Sequence, residues 1–353
     1  MRRIRHTQAG YSLMEVIVVM AISSVIMIIA YDLIEGAMKT SLFVESHNQL
    51  AQLSQRPVNA VSSDVFQSRA VFQNDTIGQS FLSKVVAQLP ADHPIQAGYR
   101  LPLADVSTTM FGPDTSGGTH YVGNCLLVLR QLNPLAIEWN DGSSDLNFPA
   151  DMYRFDFYYL SRNTKRSFGG AGYYVDLIRW RSVEFADYGQ LSAFFSAVSS
   201  TPQKNTIVNG LAAAGITTAV DPGAATTADN SFYTIGTGGT LTQMTNPAIP
   251  VLPTDAANQV FGCGSMLPEL GAGSISGKML FSVGFVPAKP FVLRDPMPKW
   301  ACQDASLPGY VTGFENKIVG TGASQKLLVR LLLMANYGVG KFDSQEGFAI
   351  SSK

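Results

Sequence analysis

The chain has 353 residues, 46% of them hydrophobic and only 14% charged, with 25 lysines and arginines against 26 aspartates and glutamates. That composition supplies ample material for a core and excludes the charge-rich, apolar-poor class of disordered chains. The charge is balanced, and no basic patch argues for nucleic-acid binding.

The first element follows Arg2, Arg3 and Arg5: an apolar run over residues 11–31 that ends against Asp32 and Glu35. At about 1.5 Å of rise per residue this is roughly 30 Å of helix, enough to cross a hydrocarbon core. By the positive-inside rule the basic cluster stays in the cytoplasm and everything beyond Tyr31 lies outside. A secretory signal peptide should end in a small-residue cleavage site, which Tyr31-Asp32-Leu33-Ile34-Glu35 matches poorly. A plain signal anchor leaves Glu15 unexplained. A carboxylate in a membrane segment costs roughly 2.5–3.5 kcal/mol at the bilayer centre and less near the edge, so it wants a partner.

Gly10 followed by Tyr11-Ser12-Leu13-Met14-Glu15 and an unbroken apolar helix resembles the class III leader of type IV prepilins and type II secretion pseudopilins. The resemblance covers about the first 35 residues. It implies that a prepilin peptidase cuts between Gly10 and Tyr11 on the cytoplasmic side and methylates the new amine of Tyr11, where the family usually has phenylalanine. It implies that Glu15 neutralises the terminal amine of an adjacent subunit in a filament. Opposite charges in a low-dielectric setting attract strongly while each alone is costly, so Glu15 would set axial register between subunits. The expected partners are prepilin peptidase, other pilin or pseudopilin subunits through the N-terminal helix, an inner-membrane assembly platform and the lipid bilayer. The expected fold is α+β and pilin-like: a long helix, half in the membrane and half amphipathic, packed on an antiparallel sheet.

Past Tyr31 the pattern becomes amphipathic, with Leu33, Ile34, Ala37, Met38, Leu42, Leu50 and Leu53 at helical spacing. No proline occurs before Pro57, so the helix is predicted over 11–56, with 11–31 transmembrane and a kinked continuation to about 68. Residues 1–10 are then leader, and 57–353 one extracytoplasmic domain. Short helices are predicted at 79–89 and 190–199. Strands are predicted at 125–129, 153–160, 173–180, 278–286 and 327–335; the second and third, joined by a glycine-rich segment, read as a hairpin. Residues 200–258, poor in charge and rich in Ala, Thr, Gly and Pro, read as a loop-rich surface insertion.

Of the three cysteines, Cys263 and Cys302 lie in Gly/Pro-rich sequence and are the expected disulfide in an oxidising compartment, whereas Cys125 sits in an apolar strand and reads as a buried thiol. No catalytic or metal constellation emerges: His6, His47, His93 and His120 are isolated. Gly320-Thr321-Gly322 and Gly338-Val339-Gly340-Lys341 lack the rest of a phosphate loop. The oxygen-rich stretch at 140–147 lacks the closing glutamate of an EF-hand and reads as an Asx-rich turn. No cofactor is expected. The leading function is a minor pilin or pseudopilin, not an enzyme, placed at or near a filament tip because a bulky domain would obstruct stacking elsewhere. The alternative is a membrane-anchored binding or adhesion protein outside any filament.

Overall fold

A computed structural model describes residues 12–89, 99–107, 121–140, 145–168, 172–222, 227–247, 249, 259–267, 314–321, 324–336 and 342–352. The chain divides into two compact units: residues up to Gln49 with Asn336–Asp343, and Leu50–Ala335 with Ser344–Lys353. Helix α1, Leu13–Phe66, begins in the first and ends in the second.

In the first unit the large apolar residues of α1 are exposed on every side, from 44% at Val16 to 81% at Leu13. The stretch Leu13–Leu42 is long and apolar enough to cross a membrane. Hydroxyls within it bond back to the helix: Ser24 Oγ donates to the Met20 carbonyl at 2.8 Å and Thr40 Oγ1 to Gly36 at 2.9 Å. Such internal satisfaction suits a surrounding that offers no water.

The second unit is an α+β domain built on an eight-stranded sheet. Its path runs β1 (Ser68–Val71), β3 (Leu126–Gln131), β6 (Met152–Phe168), β7 (Gly172–Asp187), β8 (Thr218–Val220), β9 (Phe232–Ile235) and β10 (Leu241–Gln243), with β11 (Gln259–Leu267) also on β7. A four-stranded sheet orders β14 (Phe342–Ser352), β13 (Lys326–Asn336), β12 (Phe314–Val319) and β2 (Ala104–Asp105). Strands β4 (Leu135–Asn140) and β5 (Asp145–Ala150) form a separate hairpin.

Alternation along β6 gives the large sheet two different faces. Tyr153, Phe155, Phe157 and Tyr159 point to the main apolar core, where Phe155 packs against Phe81 at 5.6 Å and edge-on to Phe185 at 5.7 Å between centroids. Phe81, Leu82 and Val85 reach this core from α2 (Thr76–Val86), which starts where Asp75 accepts a bond from the Gly78 amide at 2.7 Å. A Cβ at Gly78 would sit 1.9 Å from the Gln73 carbonyl oxygen, so only glycine lets the chain enter the helix this way. The opposite face presents Arg154, Asp156 and Tyr158, and the last turns of α1 cover it.

A second core joins α3 (Tyr188–Ala197), α4 (Thr201–Ala213) and the β4–β5 hairpin through Ile137, Phe148, Leu191, Phe195, Ile207 and Leu211. The two helices form the crossover that lets β8 pair parallel with β7. The loop-rich insertion expected over 200–258 is therefore corrected. Residues 201–213 are helix, and β8, β9 and β10 extend the main sheet. The reason is visible in Ile207, Val208 and Leu211, a short apolar stripe at helical spacing that Ser200 caps. The helix runs on through Pro57 to Phe66, so the continuation expected to about 68 belongs to the same helix as residues 13–56.

Residues 153–160 and 173–180 pair as the expected antiparallel hairpin, in far longer strands. Residues 327–335 form a strand, and the predicted short helices match α2 and α3. The strand expected at 278–286 lies outside the described residues. So does Cys302; Cys263 lies in strand β11, not in a loop.

Candidate processing and assembly site

The helix start is built from two side chains. Ser12 precedes α1, and its Oγ accepts from the Glu15 amide at 3.4 Å, while the Ser12 amide donates to Glu15 Oε2 at 2.9 Å. This reciprocal pair is a capping box, in which serine at the cap and glutamate three residues on each satisfy an orphan amide. The negative charge also faces the positive end of the helix dipole. Glu15 is thus not without a partner in a single chain, contrary to what an isolated carboxylate in an apolar run suggests. The motif Ser12-x-x-Glu15 was legible in the sequence. Gly10 and Tyr11 lie outside the described residues.

The other end of α1 carries a charged cluster that sequence reasoning missed. Pro57, Val61, Asp64 and Val65 share the buried stripe of the helix. Asp64 Oδ1 accepts from Arg130 Nη1 of β3 at 2.8 Å, and Oδ2 accepts from Arg179 Nη1 of β7 at 3.1 Å and from the Tyr158 hydroxyl of β6. Arg130 Nε also donates to Gln67 Oε1 at 2.8 Å. Next to this group Asp156, fully buried, meets Arg154 Nε at 3.3 Å and Arg181 Nε at 3.4 Å through Oδ1 alone.

The environment moves the titrations. Burial, with the charge of Asp64 second, raises the Asp156 carboxyl to about 6 against the pull of Arg154, Arg181 and Arg179. Burial, and then the Asp64 charge, also raises the Tyr158 phenol well above its usual range, so it stays a donor. Cys125 is a buried free thiol that burial pushes up, which keeps it from reacting. Among the described residues no group of three or more His, Cys, Asp or Glu is placed to hold a metal.

The family model for the prokaryotic N-terminal methylation motif matches residues 5–31. The match spans Gly10, Tyr11, the capping box and the apolar run to Tyr31. No curated protein and no solved structure matches the chain. The N-terminal segment is a class III leader of the type IV pilin type, joined to an apolar helix. The matched motif is a pilin-type structural motif and not an enzyme family.

Proposed function

We propose that the protein is a minor pilin or pseudopilin. Prepilin peptidase cuts it between Gly10 and Tyr11 and methylates Tyr11, and the subunit waits in the inner membrane with its N-terminus cytoplasmic and its domain outside. It then enters a type IV pilus or secretion pseudopilus, at or near the tip, through α1. The observation that carries this reading is the methylation motif at 5–31 set directly on a helix that exposes apolar side chains all round. Such a helix is costly in water and is suited first to lipid and then to other helices.

Within this reading the capping box gives Glu15 two successive tasks. It holds the first turn in the lone subunit, and its second carboxylate oxygen remains to meet the amine of a neighbour. Size supports a tip position, where a bulky domain would not obstruct helical stacking. The same compartment makes Cys263–Cys302 the disulfide we propose; closing a loop of about 40 residues would add roughly 3–4 kcal/mol. Non-reduced peptide mapping should show that bridge, and Cys125 in its place would refute the pairing.

Co-expression with a prepilin peptidase, followed by sequencing of the mature N-terminus, tests the function. The expected terminus is methylated Tyr11, with Gly10→Ala left uncut. A terminus beyond residue 30 would mean an ordinary signal peptide, and an uncut wild type would mean a permanent anchor.

A further inference from the structure

The charged cluster under the end of α1 holds more than a fixed ion pair. Two carboxylates, Asp64 and Asp156, lie in one field of guanidinium groups, Asp64 bonded to Arg130 and Arg179 and Asp156 touching Arg154 and Arg181, and they are not equally served. Asp64 has close bonds on both oxygens. Asp156 is 0% exposed, its contacts with Arg154 and Arg181 exceed 3.2 Å and use one oxygen, and Oδ2 has no hydrogen-bond partner among the described residues. A buried carboxylate oxygen left unpaired is costly when charged and much less so when protonated.

We propose that this cluster is an acid-tightened latch: the charge of Asp156 opposes that of Asp64 among the neighbouring arginines, and neutralising Asp156 strengthens the hold of Asp64 on the sheet. The groups that act on Asp156 are Asp64 from α1, Arg154 and Tyr158 from β6, and Arg179 and Arg181 from β7, while Arg130 of β3 and the exposed Glu184 of β7 stand opposite Arg154 in the sheet. Strand β12 brings Phe314 against Tyr158 at 6.4 Å, its own Glu315 and Lys317 being engaged with Arg330 and Asp105. When Asp156 takes a proton, the like-charge repulsion on Asp64 disappears while Asp64 keeps its bonds to Arg130 and Arg179.

The direction follows from linkage. The folded group binds its proton more tightly than the unfolded one, so its contribution is fully present below the ordinary aspartate range and is lost as pH rises through about 6. The latch therefore tightens in mildly acid surroundings and loosens in neutral ones. It stands independently of the function proposed above, because it concerns the folded domain whether or not that domain joins a filament.

Hydrogen exchange over residues 57–66 of the full chain in detergent, corrected for the intrinsic pH dependence, reads the latch directly. Opening should be about tenfold rarer at pH 5 than at pH 8. In Asp156→Asn, which keeps the shape and removes the charge, opening should be rare at both pH values. Histidine ordinarily changes charge in this range, and the variant isolates Asp156 from the four histidines of the chain. Equal opening of the wild type at both pH values, or a tenfold difference persisting in Asp156→Asn, would overturn the proposal. Should the variant not fold, infrared spectra of wild-type protein with labelled aspartate still decide. A buried protonated carboxyl band should grow as pH falls through about 6, and its absence would refute the latch.

Discussion

The two ends of α1 solve the same problem in opposite ways. Near its start a carboxylate stands among apolar residues, and Glu15 is satisfied by Ser12, three residues away in the same turn. Near its end another carboxylate stands on an apolar stripe, and Asp64 is satisfied by Arg130, Tyr158 and Arg179, which are 66, 94 and 115 residues distant. The first solution works in an isolated helix and leaves the carboxylate exposed for another use. The second exists only once the domain has folded, and it consumes the carboxylate fully. A charge on an apolar helix thus caps the helix start at one end and anchors the helix to the folded sheet at the other.

Removing Asp64 should give the largest effect. Asp64→Ala leaves Arg179 buried and Tyr158 unbonded, and should cost about 3–5 kcal/mol in urea unfolding of the full chain in detergent. A loss below 1 kcal/mol would mean that the pair only breaks even with an apolar contact, and would erase the contrast between the two ends. Tyr158→Phe removes one bond to that carboxylate and should cost about 1.5–3 kcal/mol by the same measurement. At the other end, Ser12→Ala should cost the first turn only about 1 kcal/mol, seen as faster amide exchange at residues 13–16 with the domain unaffected. The smallest effect expected is on Cys125, whose thiol should resist alkylation at neutral pH until denaturant is added.

The legible parts of the fold were those with local signals. The hairpin of β6 and β7 announced itself by two aromatic and β-branched runs around glycines, and the apolar helix by its unbroken length. Helix α4 was missed because low charge and frequent Ala, Thr and Gly mask its stripe of Ile207, Val208 and Leu211, which only packing on Leu191 and Phe195 reveals. At the site, Gly10, Tyr11 and Glu15 stood out through the resemblance of their segment to a class III leader. The capping role of Ser12 was present in the sequence and overlooked, since the membrane cost of Glu15 drew the eye to a partner on another molecule. Asp64 carried one weak signal, a charge on the stripe shared by Val61 and Val65. Its partners lay too far along the chain to be foreseen, and so did the fully buried Asp156 between Arg154 and Arg181.

The capping box and the proposed docking role of Glu15 can be separated in one measurement: recovery of each variant in sheared filaments after complete processing. Glu15→Ala should be cut and methylated normally yet be missing from the filament fraction, while Ser12→Ala, with its carboxylate intact, should be incorporated. If Glu15→Ala enters filaments as well as the wild type does, the carboxylate serves only to start the helix, and the assembly account is wrong.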